Sequence, residues 1–153
     1  MRIWISAVGR VRAGPDKDLY EKYIERLSWP VSLREVEERR PLPPAKLKAR
    51  EGELLRGSIP EGAVIIALDE RGKTLSSLDF ARKLEDWQNQ GRSSAVFLIG
   101  GACGLDESLR AEADLILSLG PMTWPHFLVR ALLAEQLYRA QSILAGHPYH
   151  REG

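Results

Sequence analysis

The chain closes on a dense set of proton-transfer and anion-binding groups: His147, Tyr149, His150 and Arg151 fall within five positions after the last apolar run. Histidine titrates near neutrality, and arginine grips phosphate or carboxylate through paired donors. Such a tail can orient or deprotonate a polar substrate; a frayed terminus is the alternative. Two further segments concentrate unusual backbone. Gly100-Gly101-Ala102-Cys103-Gly104 follows one apolar run, and Gly120-Pro121-Met122-Thr123-Trp124-Pro125 follows another. The glycine segment lacks both the dinucleotide spacing and the Lys-Ser/Thr of a phosphate loop. It reads as a tight turn or as a ligand loop. In the second segment two prolines stiffen an irregular loop whose N–H and C=O groups no sheet partner uses. It is a stiff connection, or a frame that hydrogen-bonds an adenine ring while apolar side chains cover the ring's faces.

Other reactive types fit quieter roles. Cys103 is a nucleophile only with a base beside it, and none adjoins it in sequence; a small packed side chain is the plainer reading. His126 stands where a helix begins and can bond locally. Glu135 and Arg139 have the i, i+4 spacing of a helical ion pair. Arg10, Arg12, Arg34, Arg39, Arg40, Lys46, Lys48 and Arg50 could make a basic face, diluted by Glu35, Glu37 and Glu38. Three histidines and one cysteine give no metal-ligand spacing.

These segments need elements to hold them. Apolar runs predict strands over 2–8, 63–68, 94–99 and 115–119, and the alternation of 31–37 predicts an edge strand. Residues 69–73 read as a turn. Helices are expected over 16–27, 45–57, about 77–90 and 107–113, with Ser76, Ser77 and Asp79 at one N-terminus and Asp106 at another. A last helix starts beside Pro125 and stops at Gly146. Strands alternating with helices mean an α/β domain with a largely parallel sheet. Ligands in such sheets sit beyond the carboxyl ends of the strands, where both loops fall. The last helix is apolar around Leu133, Leu137, Ala140 and Leu144 and again around Phe127, Ala131, Ala134 and Tyr138. So wide an arc needs more cover than one small sheet face provides, which points to a dimer or to deep burial within one chain.

The 153 residues suit one domain. With 44% apolar and 28% charged residues, the composition is that of a soluble globular protein. No apolar run approaches the ~20 residues of a membrane span. The opening apolar stretch is too short for a secretory signal, and the lone Cys103 suits a reducing compartment, so a cytoplasmic location is expected. A formal charge of +1 neither requires nor excludes a nucleic-acid partner.

At these motifs the chain resembles the SPOUT-class methyltransferases and, within them, the RlmH (YbeA) family. The likeness runs over essentially the whole length. It is carried by Ile5-Ser6-Ala7-Val8-Gly9, by residues 67–73 (Ala-Leu-Asp-Glu-Arg-Gly-Lys), by the Phe97–Leu105 segment around the glycines, by Met122-Thr123-Trp124-Pro125-His126, by residues 128–140 and by the final His-Pro-Tyr-His-Arg-Glu. The Ala102-Cys103 pair and residues 29–61 depart from it. The resemblance implies a SPOUT-type α/β trefoil knot, mostly parallel and flanked by helices, formed by a single domain over 1–153 with the knotted region at about 95–150. It implies a homodimer that binds S-adenosylmethionine through Leu68, Gly100, Gly101, Gly120, Pro121, Met122, Thr123, Trp124 and Pro125, without a metal. It further implies methylation of ring nitrogen 3 of a pseudouridine in 23S rRNA within the assembled 70S ribosome. His150, Arg151 and Tyr149 are the expected catalytic group, acting across the dimer, with His126 and Arg130 supporting the cofactor loop or the RNA. A SPOUT methyltransferase for another RNA such as tRNA, or a non-catalytic ribosome-binding factor, are the alternatives.

Overall fold

Five strands pair in parallel throughout. In the computed structural model, which describes residues 1–151, they are β1 (Arg2–Val8), β2 (Val31–Val36), β3 (Val64–Thr74), β4 (Ser94–Ile99) and β5 (Leu115–Ser118). From one edge of the sheet to the other their order is β2-β1-β4-β3-β5. The helices are α1 (Pro15–Arg26), α2 (Pro44–Gly57), α3 (Ser77–Asn89), α4 (Glu107–Glu112) and α5 (His126–Leu144). The central β4 shows why the sheet needs cover on both faces. Ala95, Phe97 and Ile99 join one core with residues of α1, α3 and α5, while Val96 and Leu98 join a second with Leu55 of α2 and Leu109 of α4. Apolar side chains on both faces of a strand are the mark of a buried parallel sheet. Strand β2, with its mixed pattern, lies at the edge as expected and is only half-buried.

Both predicted side-chain caps form. Ser76 accepts from the Asp79 N–H at 3.0 Å, and Asp106 from the Ser108 N–H at 2.8 Å. Gly146, with φ near 72°, follows the end of α5. Pro125 is the residue before the first helical one, where its missing N–H removes no helix bond.

Two expectations change. Residues 69–73 do not end the strand, although 69–72 bulge out of the ladder. Strand β3 runs on to Thr74 through a bulge, pairing Leu68 and then Lys73 with Leu117. Gly72 permits this, because a Cβ there would stand 2.6 Å from the Ile116 carbonyl oxygen. The second concerns α5. Much of its apolar arc is met inside the chain: Ala131, Leu133, Ala134, Leu137 and Ala140 are buried in the core shared with α1 and α3, while Phe127 and Leu144 are half-buried. The arc therefore does not by itself require a second subunit. Because every strand runs the same way, Gly9, Asp69, Gly100 and Leu119 all emerge at one rim of the sheet.

Candidate functional site

A cavity of about 840 Å³ opens at that rim. Three segments make most of its wall, namely Leu68 to Arg71 at the β3 bulge, Gly100 to Leu105 after β4, and the loop after β5, with Lys48 of α2 beside them. The glycine segment is both of the things its sequence allowed. The Gly104 N–H donates to the Gly101 carbonyl at 2.9 Å, closing a tight turn, and the same residues line the cavity. In the loop after β5, the Gly120 N–H donates to the Ser118 hydroxyl, and Thr123 Oγ1 donates to Glu70 Oε2, both at 3.0 Å. The amides of Met122, Thr123 and Trp124 have no protein acceptor among the described residues. Met122 is 71% exposed and Trp124 41%. Free donors beside exposed apolar side chains suit a flat ring with polar edges. Leu68, Gly100, Gly101, Gly120, Met122, Thr123, Trp124 and Pro125 all line the cavity; Pro121 does not.

Charges around the rim are mostly spent within the chain. Asp69 pairs with Arg71 at 3.1 Å and Arg110 at 3.0 Å. Burial opposes ionisation of Asp69, but hydrogen bonds from Arg71 and the two guanidinium charges outweigh it and hold the carboxyl below its usual range. Cys103 also lines the cavity, with no base hydrogen-bonded to it among the described residues. His126 is held below its ordinary pKa, first by burial and then by the Arg130 charge. Arg130 itself is 1% exposed and donates to Glu35, to the Gly9 carbonyl at 2.8 Å and to the Val8 carbonyl. It braces the end of β1 behind the cavity and is too buried to touch RNA. Most of the basic residues considered for a free face are engaged, while Arg12, Lys46 and Lys48 form no ion pair among the described residues. Arg10 and Arg39 pair with Glu37, Arg40 and Arg50 with Glu38, and Arg34 stacks 4.2 Å over Trp4.

The tail folds back on its own α5, beside a second cavity of about 700 Å³. Tyr149 Oη donates to Glu135 Oε1 at 3.2 Å, and Arg139 pairs with the same carboxylate at 2.6 Å. Arg139 Nη1 lies 3.1 Å from His150 Nδ1. Arginine only donates, so Nδ1 accepts, and a neutral His150 carries its proton on Nε2. The Tyr149 phenol is pushed up to about 12, first by burial and then by Tyr23, so it is a donor at neutral pH. Arg151 is exposed. Tyr149 lines only the second cavity, which shares Leu117, Leu119, Gly120 and Trp124 with the first.

Sequence reasoning missed Glu51. It is 7% exposed on α2, and its Oε1 has no hydrogen-bond partner. Its one signal was a charge beside Gly52 on the face that carries Leu55 inward; Gly52 is held to glycine because a Cβ would meet Asp106 at 2.8 Å. Burial alone raises the Glu51 pKa above 4.5. The folded chain therefore binds this proton more tightly than the unfolded chain, and the associated stability fades as pH rises through the raised value. Glu51→Gln is expected to melt above the wild type at pH 7, with the gap closing toward pH 4; an equal gap at both pH values in thermal melts would contradict this.

Among the described residues no helix is long and apolar enough to cross a membrane, and no group of side chains is arranged to hold a metal ion. Solved structures of methylase-family proteins share the fold. One from Haemophilus influenzae superposes with a TM-score of 0.57 at 11% identity, covering 98% of this chain and 70% of the other. One from Neisseria gonorrhoeae gives 0.55 at 11% identity, covering 99% and 87%. Sequence relatives are much nearer. Proteins named ribosomal RNA large subunit methyltransferase H are 59% identical in Paramagnetospirillum magneticum and 56% in Rhodospirillum centenum, each over 99% of both chains. A family model described as "Predicted SPOUT methyltransferase" matches residues 1–150. With its parallel five-stranded sheet, three-walled rim cavity and full-length relatives, the chain belongs to the SPOUT methyltransferases, in the RlmH family.

Proposed function

We propose that this chain methylates large-subunit (23S) ribosomal RNA with S-adenosylmethionine, at ring nitrogen 3 of a pseudouridine in the assembled 70S ribosome. The observation that carries the reading is the rim cavity, where the amides of Met122, Thr123 and Trp124 are free of protein acceptors beside exposed apolar side chains. When bound, the cofactor supplies a methyl group already activated on a sulfonium, so no metal is required. Leu68, Gly100, Gly101 and the loop from Gly120 to Pro125 would hold it, with Pro121 stiffening the loop from outside the cavity. The residues that remain must place the imide nitrogen in line with the methyl carbon while the nitrogen's proton passes to solvent water. His150, with Nδ1 engaged by Arg139, offers Nε2–H to a base carbonyl, and Arg151 stands exposed for phosphate.

Within one chain no tail residue lines the first cavity, although Tyr149 lines the adjoining one, which supports a homodimer in which each tail serves its partner's cavity. The whole chain, 1–153, then acts as one SPOUT domain knotted over about 95–150, in the cytoplasm with its ribosomal substrate. With most of its basic residues paired internally, recognition relies on a composite ribosomal surface instead of a broad basic patch.

Labelled methyl transfer to 70S ribosomes and to free ribosomal RNA, followed by nucleoside mapping, tests the reading. Label on a pseudouridine of ribosomes is expected, with little on free RNA. Label on tRNA instead, or none despite cofactor binding, would replace it with one of the alternatives. His150→Ala is expected to lower turnover on ribosomes by about 10² while leaving cofactor affinity unchanged. Unchanged turnover would remove His150 from the site.

A further inference from the structure

Resting on the reading of the rim cavity as the S-adenosylmethionine site, we infer that Glu51 is the carboxylate that receives the α-ammonium of the cofactor's methionyl end. Three observations meet here. The Glu51 side chain is buried, and Oε1 has no hydrogen-bond partner. A buried carboxyl left without a donor is costly and is kept where something completes it. No cation of the chain does so. Glu51 forms no ion pair among the described residues, and its neighbour Arg50 is committed to Glu38 and Glu53. The third observation is Gly101. This glycine lines the cavity, and a Cβ on it would stand 3.2 Å from Glu51 Oε2 and 3.4 Å from Oε1. Glu51 does not itself line the cavity; its carboxyl packs directly behind Gly101, which does. One turn earlier on α2, Lys48 lines the same cavity, so this face of the helix is turned toward the ligand.

The orientation follows from the opposite wall. Free amides and apolar side chains of the loop after β5 suit the adenine, which leaves the methionyl end for the glycine turn and α2. That end carries an ammonium and a carboxylate; Glu51, turning past Gly101, would receive the first, and Lys48 on the wall the second. The choice of ammonium over sulfonium is chemical: the orphaned oxygen needs an N–H donor, and a sulfonium has none. Glu51 is thereby a cofactor-contacting residue, and the loss of stability that its burial causes is exchanged for ligand binding.

Calorimetric titration of the full chain and of Glu51→Gln with three ligands decides the matter. S-adenosylmethionine and S-adenosylhomocysteine both carry the ammonium; 5′-methylthioadenosine has the same nucleoside without the amino-acid end. Glu51→Gln is isosteric, and 5′-methylthioadenosine reports that its cavity is intact. Affinity for the first two is expected to fall at least about tenfold, and for the third to change less than about twofold. Unchanged affinity for all three overturns the proposal. An equal fall for all three overturns it in favour of a structural role, and a fall for S-adenosylmethionine alone overturns it in favour of the sulfonium. If the wild type binds none of the three, the cofactor reading itself fails, a result separable from the failure of Glu51.

Discussion

Arg130→Met is expected to cost about 3–5 kcal/mol of folding stability, the range for removing one partner of a buried ion pair. The guanidinium is 1% exposed and reaches three acceptors: Glu35 Oε2 at 2.5 Å, the Gly9 carbonyl at 2.8 Å and the Val8 carbonyl at 3.3 Å. It also lies 4.9 Å over the Phe127 ring. Through these contacts the first turn of α5 is tied to the end of β1 and to β2, strands far away in sequence. Methionine would fill most of the volume but leave two carbonyls and a half-buried carboxylate without their donor. Glu35 would keep only the Val11 N–H, at 2.8 Å. Burial opposes its ionisation, yet the Arg130 and Val11 hydrogen bonds prevail and its pKa is lowered. The wild-type contribution of this carboxylate is therefore present above its unfolded pKa and lost as pH falls through the folded one. Urea titration of the single variants and of Arg130→Met with Glu35→Leu measures the coupling. The double variant is expected to recover part of the loss, because it buries no orphaned charge. A single-variant loss below about 1 kcal/mol, the range of an exposed pair, would show that Arg130 is not the brace described.

Gly100→Ala is expected to reduce cofactor affinity at least about tenfold, or ~1.4 kcal/mol, together with about 1–3 kcal/mol of stability. A Cβ at Gly100 would stand 2.7 Å from the Gly104 carbonyl carbon, 2.9 Å from its oxygen and 3.0 Å from the Leu105 nitrogen. All three are backbone atoms, so no side chain can swing aside. The turn closed by the Gly104 N–H must open, and the residues it positions line the cavity. Gly57→Ala, at the end of α2 with open space around it, is the control and should bind as the wild type does. Calorimetry below the melting point of each variant separates affinity from folding. Equal affinity in Gly100→Ala and wild type would mean that the glycine turn is not part of the cofactor wall.

Local chemistry was legible in the residues. Near-continuous apolar runs marked β1 and β4 to the residue, because a strand buried on both faces is apolar at nearly every inner position, buried Ser6 of β1 being an exception. Ser76 and Asp106 marked helix starts because a capping hydroxyl or carboxylate acts on its own next turn. The Gly100–Gly104 and Gly120–Pro125 segments stood out because their backbone cannot continue a strand or enter a helix unaided, and parallel strands bring them to one rim. Residues 69–73 were read as a turn from local composition. The bulged pairing with β5 depends on Gly72 lying against Ile116, a neighbour 44 positions on.

The remaining decisions belong to the packing. A helix with a wide apolar arc looks the same in sequence whether a partner subunit or α1 and α3 covers it. Arg130 and Glu51 are both charged residues on helices, and nothing in their own neighbourhoods says that they are buried. One donates through its terminal nitrogens to carbonyls more than 120 positions away, and the other faces Gly101 with an unpartnered oxygen. What the amino-acid sequence determined by itself was the order of elements, the two loops and the family, since these rest on short-range patterns and motifs. What the tertiary structure alone decided was which charges are buried, which of them are paired, and where the tail lies, because those depend on atoms that meet only after the sheet has assembled.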